Sequence, residues 1–267
     1  MKISTVVNKI LGRMNMELKR KLPPPKYLEP SALEVCLRLL IGERGHLNIA
    51  QVGANDGKIN DPIHDFIFRH MDRTNVIFAE PQSYLVEELE KNYEFHALKY
   101  IFNGAIGRSP ELLLYRVRKD FWVDFEVPYA NGWPVYRAPT GITSANYDHV
   151  LSWVKRYYRG HSAPEDTIEK FCVECITLQR LLETADLFSR PDLLQVDAEG
   201  WDDEVIYASN IEKLKPRVIN FEFGNLPEDR AAELVSYLEK NGYTFSVHGI
   251  DGLAILDFQH LDPQKTL

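Results

Sequence analysis

The sequence predicts an α/β fold in which a Rossmann-like, mostly parallel sheet carries helices on both faces. Short apolar strands alternate with segments of helical periodicity along most of the 267 residues, an order typical of parallel sheets. A glycine-rich turn, Gly53–Gly57, follows the first strand of the sheet, and the acid Glu80 ends the second. Open α/β sheets hold adenosine-containing cofactors with this pair of features.

The N-terminal segment differs from the rest of the chain. Residues 1–22 place apolar side chains at helical spacing along one face, and Pro23–Pro25 end that pattern. Residues 1–26 hold seven basic residues and one acidic residue, a net charge of +6. We therefore predict a basic amphipathic helix and a Pro-rich linker over 1–30, and a main domain over 31–267. The helix could lie on an anionic membrane, bind a protein partner, or cover the sheet of its own chain or of a second copy.

The first half of the main domain alternates regularly between helical and strand patterns. Caps and apolar periodicity predict helices over Ser31–Leu40 and Gln82–Asn92, and another that starts at Asp61-Pro62. Short apolar runs predict strands over Leu47–Val52, Val76–Ala79, Lys99–Phe102 and Leu112–Val117.

The stretch from about 118 to 170 has no clean period and is rich in Phe, Tyr and Trp. We predict an insertion on the substrate side, which is either a binding surface or a small aromatic core. Regular order then returns, with strands predicted over Cys172–Ile176, Asp192–Val196, Arg217–Phe221, Tyr243–Val247 and Leu253–Leu256. Helices are predicted over Leu178–Thr184, Asp203–Ala208 and Pro227–Asn241. The last two strands read as a hairpin, which should add an antiparallel strand at the edge of the sheet.

Composition narrows the class of protein. The net charge of −8 argues against a nucleic-acid partner. The three cysteines, Cys36, Cys172 and Cys175, form no disulfide framework. No membrane span or secretory signal is visible. We expect a cytoplasmic protein, with peripheral membrane contact through residues 1–22 as an alternative and homo-oligomerisation left open.

The glycine turn favours S-adenosylmethionine over a dinucleotide. A dinucleotide site needs a third glycine and an immediate helix start, whereas here Gly57 precedes Lys58-Ile59-Asn60. The charge of Asp56 would repel a pyrophosphate but attract an ammonium and a sulfonium. Glu80 can accept hydrogen bonds from both ribose hydroxyls.

Acids stand at or just past the carboxyl ends of several predicted strands. Beyond Asp56 and Glu80, they are Asp197, Glu199 and Glu222. Converging acids in a cleft suggest a cationic ligand, a metal ion or a general base.

Four blocks follow one another along the chain: Gln51–Gly57, Ala79–Pro81, Asn103–Ala105 and Leu193–Asp202. In this order they resemble the motifs of the FkbM-type family of S-adenosylmethionine-dependent methyltransferases, and the last block is similar to the Asp-Val-Glu-Gly signature of that family. The resemblance implies a seven-stranded methyltransferase sheet and O-methylation of sugar hydroxyls or polyketide products.

The resemblance also implies roles for individual residues. Gly53, Ala54, Asn55 and Gly57 would line the methionine part, Glu80 and its neighbour Pro81 the ribose, and Asn103 and Ala105 the adenine, with Asp197 beside the methyl group. Gln51 stands where the family usually has an acid. Its amide oxygen could accept from the cofactor's amine, or Asp56 could replace it.

The leading hypothesis is an O-methyltransferase that acts on a hydroxyl of a sugar, glycan or glycolipid. The alternatives are a lipid-linked or polyketide-type acceptor, and a non-catalytic adapter on the same fold. Asp197 or Glu199 would be the general base or an anchor for the substrate, with Glu222 close by, and His149 is the rival base. A divalent metal such as Mg²⁺, held by Asp197, Glu199 and Glu222, is a further alternative.

Overall fold

The computed structural model of the protein describes residues 30–257, so the helix predicted over residues 1–22 and its linker lie outside the described residues. The chain divides into the units Met1–Ser31 and Ala32–Leu267, and every element named below belongs to the second. The helices are α1 (Ala32–Arg44), α2 (His64–Arg69), α3 (Ser83–Asn92), α4 (Arg137–Gly141), α5 (Tyr147–Tyr157), α6 (Leu178–Ala185), α7 (Asp202–Ala208), α8 (Ile211–Leu214) and α9 (Glu228–Lys240). Two 3₁₀ turns span Lys119–Asp124 and Pro164–Thr167. The strands are β1 (Leu47–Val52), β2 (Thr74–Ala79), β3 (Lys99–Phe102), β4 (Ala105–Ile106), β5 (Glu111–Val117), β6 (Ile168–Ile176), β7 (Leu193–Val196), β8 (Val218–Glu222), β9 (Tyr243–His248) and β10 (Asp251–Leu256).

Seven strands form the central sheet in the order β3-β2-β1-β7-β8-β10-β9. The pairs among β3, β2, β1, β7 and β8 are all parallel, and β10 is antiparallel to both of its neighbours. The predicted mostly parallel sheet is therefore confirmed. The prediction placed the antiparallel strand at the edge of the sheet. In the structure this strand is β10, which lies second from the edge, between β8 and β9. The chain leaves β8 through α9 and returns as β9 one strand position away, and β10 then folds back into the gap.

Helices cover both faces of this sheet, as predicted. One face packs against α1, α2 and α3, with side chains such as Leu37, Phe66 and Leu89 buried there. The other face packs against α6, α7 and α9. Among the helices of residues 30–257, none combines the length and the apolar character that crossing a bilayer would require.

A second, smaller sheet carries two of the predicted strands. β5 pairs antiparallel with β6, and β4 pairs parallel with the end of β6. Both predicted strands exist, but they pair with each other outside the central sheet. This sheet forms the base from which the aromatic insertion extends.

The insertion is more regular than its sequence suggests, and the prediction of an irregular segment is wrong for α5. Asn146 caps this helix, because its side chain accepts from the backbone N–H groups of Asp148 and His149. Val150 and Val154 are buried on one face of the helix, four residues apart. The further apolar residues Leu151 and Trp153 between these positions hide the helical period in the sequence.

The helix predicted from Asp61-Pro62 begins later, at His64. Asp61 still acts as a cap, because its Oδ1 accepts from the N–H groups of Ile63 at 2.8 Å and His64 at 2.6 Å. Residues 61–63 form the end of the long turn after β1.

Candidate functional site

A pocket with about 670 Å³ of empty space opens at the carboxyl ends of β1, β2 and β7. The segment from 137 to 145 of the insertion forms its opposite wall. Of the residues predicted to form the site, those that line this pocket are Gly53, Asn55, Glu80, Pro81, Ala105, Asp197 and Glu199.

The glycine turn passes close beneath the backbone that follows β7. Gly53 has a φ of +77°, and a Cβ there would lie 1.8 Å from the carbonyl oxygen of Asp197. The Gly53 N–H donates to Ala79 O at 3.0 Å, and the Asp197 N–H donates to Val52 O at 2.9 Å. A side chain at position 53 would therefore separate two strands that the site needs side by side.

Glu80 is held by backbone donors at the tip of β2. One of its carboxylate oxygens accepts from the Asn55 N–H at 2.7 Å and the other accepts from the Gln82 N–H at 2.9 Å. Burial raises the pKa of Glu80 to about 7 despite these bonds. Each oxygen keeps a second lone pair, so the carboxylate can still accept from a diol. Asn103 donates to the backbone carbonyl of Glu80 at 2.9 Å and thereby ties β3 to this tip.

Other predicted cofactor residues lie behind the pocket wall rather than on it. Asp56 is fully buried and accepts from the backbone N–H groups of Lys58 and Ile59, so it shapes the turn. The positions Ala54 and Gly57 belong to the same turn, and a Cβ on Gly57 would lie 2.3 Å from Leu89.

Gln51 also lies behind the wall. Its side-chain nitrogen donates to Asp61 at 2.6 Å, while its buried carbonyl oxygen has no partner within residues 30–257. The roles predicted for this residue and for the others at the back of the pocket remain predictions.

Three predicted acids meet at the end of β7 and β8. Among the described residues, Asp197, Glu199 and Glu222 can place carboxylate oxygens within 4.8 Å of one another. Burial, and then the charges of neighbouring carboxylates, raise the pKa of Glu199 and Glu222, and burial raises the pKa of Asp197. Such a cluster favours bound protons or a cation, and oxygen donors this close suit Mg²⁺.

His149 completes this group from the insertion. Its Nε2 lies 3.1 Å from Glu199 Oε2, and Ser144 donates to the Glu199 backbone carbonyl at 2.7 Å. Burial lowers the pKa of His149, whereas burial and the neighbouring carboxylates raise the pKa of Glu199. The sequence offered these two residues as rival bases, but the fold joins them.

Two further residues of the site were not predicted. Asp202 is fully buried, with a pKa raised by burial to about 7, and its carboxylate accepts from the N–H groups of Gly200 and Glu222. Its place in the Leu193–Asp202 block was the available signal. Arg137 lines the pocket from α4. No sequence signal marked it, because the segment around it has no period.

Comparison with known proteins identifies the family of the chain. A model of the FkbM methyltransferase domain matches residues 51–245. No curated protein matches the sequence. The fibrillarin/Nop5p complex aligns at 10% identity and a TM-score of 0.40 over 80% of this chain and 74% of that one.

A precorrin-6y C5,15-methyltransferase from Geobacter metallireducens aligns at 10% identity and a TM-score of 0.39 over 86% of this chain and 92% of that one. The family of this chain is therefore taken from the family model and not from these two structures. That model covers most of the chain and includes the glycine turn, Glu80 and the acid cluster. The chain belongs to the FkbM family of S-adenosylmethionine-dependent methyltransferases.

Proposed function

We propose that this methyltransferase is an O-methyltransferase whose acceptor is a hydroxyl of a sugar or glycan. The observation that carries the proposal is the His149–Glu199 pair, in which Glu199 lines the cofactor pocket together with Asp197. A hydroxyl is a weak acid and needs a base at the moment of transfer. A partly buried pair of an imidazole and a carboxyl group at hydrogen-bond distance can accept that proton.

Aromatic side chains of the insertion support a sugar acceptor. Tyr129 and Trp133 meet edge to face at 5.8 Å, and Trp153 lies between His149 at 6.3 Å and Tyr157 at 5.2 Å. Burial, together with the charges of Tyr157, Glu199 and Glu222, raises the pKa of Tyr129. Aromatic faces of this kind pack well against the C–H faces of a sugar ring.

The residues of the chain divide the work of such a reaction. S-adenosylmethionine supplies an activated methyl group with a good leaving group. The glycine turn and Glu80 would orient the adenosine part, and the aromatic side chains would align the acceptor hydroxyl, which is the proximity contribution to catalysis. The His149–Glu199 pair would take the hydroxyl proton, and Asp197 would stabilise the positive charge that this proton adds to the pair.

A divalent cation at Asp197, Glu199 and Glu222 remains a proposal within the same function. These residues would hold it through carboxylate oxygens, and it would lower the pKa of an acceptor hydroxyl. Activity that is lost with chelator and restored by Mg²⁺ would support it. Activity that chelator leaves unchanged would contradict it.

The function is tested by transfer of a labelled methyl group from S-adenosylmethionine. The acceptors would be methyl glycosides, sugar nucleotides, lipid-linked sugars and hydroxylated polyketides. We expect transfer to the sugar-containing acceptors. Transfer to polyketides alone would overturn the acceptor class, and cofactor binding without transfer to any acceptor would favour an adapter.

The base is tested with Glu199→Gln and His149→Gln. Each should lower kcat by about 10²-fold or more, since general-base removal typically costs this much, and should leave the Kd for S-adenosylhomocysteine within about threefold. The matched control is Glu90→Gln, on the exposed side of α3. Asp197→Asn with unchanged turnover and unchanged cofactor affinity would contradict a role for that acid.

The acceptor surface is tested with Trp153→Ala, which should raise KM for the sugar about tenfold because it removes a ring of stacking area. The control is Val123→Ala, an exposed position of the same insertion. Equal effects of the two variants would remove the support that the aromatic side chains give to a sugar acceptor.

A further inference from the structure

Arg137 brings a positive charge into a pocket whose other charged lining residues are all acids. It begins α4, its side chain is 10% exposed, and it is the only basic residue among the described residues that line the pocket. Glu80, Asp197 and Glu199 line the same space, and the charge of Arg137 opposes the rise in the pKa of all three. A guanidinium this deeply buried calls for an anionic or carbonyl partner.

One edge of the guanidinium is fixed to the loop that directly follows the glycine turn. Its Nε and Nη2 both donate to the backbone carbonyl of Ile59, at 3.1 and 2.9 Å, and Nε lies 3.9 Å from Asp56 Oδ2. The Trp133 ring lies 5.4 Å from the guanidinium carbon. Within residues 30–257, Nη1 makes no hydrogen bond, so the guanidinium is anchored and still has donors to offer.

Gly141 leaves the room that this arrangement needs. It lies one helical turn after Arg137, and a Cβ there would stand 2.5 Å from Nη1 and 3.8 Å from the guanidinium carbon. Any side chain at position 141 would displace the free end of the guanidinium. The backbone of Gly141 has no left-handed φ, so alanine is otherwise compatible with this position.

We propose that Arg137 binds the α-carboxylate of the methionine part of S-adenosylmethionine. This carboxylate is the only anionic group of the cofactor, and the acids that line the pocket offer it no favourable charge. Arg137 is anchored to Ile59, two residues after the turn that is predicted to line the methionine part, and its planar donors suit a carboxylate. The insertion, through this residue, thereby completes the cofactor site as well as facing the acceptor.

The inference rests on the cofactor of the proposed function and does not depend on the acceptor. Its test therefore measures binding by calorimetry rather than turnover. The two probes are S-adenosylmethionine and decarboxylated S-adenosylmethionine, which differ in the carboxylate alone. The unaltered protein should bind the first more tightly by about tenfold or more, because a charge-assisted hydrogen bond contributes at least that much.

Arg137→Met should reduce the affinity for S-adenosylmethionine by about tenfold or more and change that for the decarboxylated probe by less than about threefold. Gly141→Ala keeps the guanidinium but moves its free end, so it should give the same selective loss, smaller in size. The control is Arg180→Met on the exposed surface of α6. Circular dichroism and the Tm would establish that each variant is folded.

Equal losses for both probes in Arg137→Met would overturn the proposal, because they would assign the residue to the support of the Ile59 turn. No preference for the carboxylate in the unaltered protein would also overturn it. Should Arg137→Met fail to fold, Gly141→Ala decides by the same comparison. Failure of the unaltered protein to bind either probe would count instead against the cofactor itself, so the two failures are distinguishable.

Discussion

Gly53 is the position where one added carbon should do most damage to the site. Its φ of +77° is unfavourable for any other residue, and a Cβ would lie 1.8 Å from the Asp197 carbonyl oxygen and 2.7 Å from its carbon. Because these are backbone atoms of the segment that carries the acid cluster, they can move only if that segment moves. We expect Gly53→Ala to destabilise the fold and weaken the cofactor site together.

The size of the effect follows from its two causes. The left-handed φ costs about 1 kcal/mol for alanine. The distance from the added Cβ to the Asp197 carbonyl oxygen must increase by roughly 1.2 Å to reach 3.0 Å, the shortest contact that Cβ atoms make. A backbone shift of this kind costs about 1–3 kcal/mol. The free energy of unfolding should therefore fall by about 2–4 kcal/mol, a large part of the stability of an ordinary domain.

Two other glycines separate these causes in a urea-unfolding series. Gly45 has the same φ of +77° with nothing within 4 Å, so Gly45→Ala should lose only about 1 kcal/mol. Gly42 lies within α1 in open space, so Gly42→Ala should gain about 0.5–1 kcal/mol of stability. Calorimetry should find S-adenosylhomocysteine bound at least tenfold more weakly by Gly53→Ala alone.

The result that would refute this reasoning is a Gly53→Ala protein no less stable than Gly45→Ala and with unchanged cofactor affinity. Such a result would mean that the Asp197 carbonyl does not lie over Gly53. The result would contradict the pairing of β1 with β7, on which the whole site depends.

Three further outcomes are expected. Asp203 is buried, and its carboxylate accepts from Arg230 Nε, at 2.8 Å, and from Arg230 Nη2. Arg230→Met should therefore lower the free energy of unfolding, measured in urea, by about 2–4 kcal/mol, because it leaves a buried charge without its partner. Adding Asp203→Asn should recover much of that loss. Burial raises the pKa of Glu80 to about 7, so the folded protein holds a proton there that the unfolded chain releases near pH 4.5. The free energy of unfolding should therefore fall by up to about 3 kcal/mol as the pH rises from 4.5 through 7. Glu80→Gln should flatten that window, and an unchanged pH profile would contradict the burial of this acid. Iodoacetamide should label Cys172, which is exposed, and spare the buried Cys175, whereas equal labelling would contradict the pairing of β6.

Local sequence determined the parts of this protein that depend on neighbours in the chain. The turn at Gly53 and the acid at Glu80 each follow an apolar strand, and the parallel order of the strands brings their carboxyl ends to one edge. The predicted strands of the central sheet are all present in the structure. The resemblance of Leu193–Asp202 to the family signature identified the block that holds the acid cluster.

Only the tertiary structure decided which distant segments meet. Side-chain periodicity records that a face is buried but not what covers it, so the pairing of β5 with β6 and the place of β10 inside the sheet could not be predicted. For the same reason the sequence offered His149 and Glu199 as alternatives, although they lie 3.1 Å apart in the fold. Arg137 had no signal at all, because its partner at Ile59 is a backbone carbonyl, which any residue type can supply. The roles of residues that depend on such long-range contacts are therefore decided by the tertiary structure and not by the local sequence.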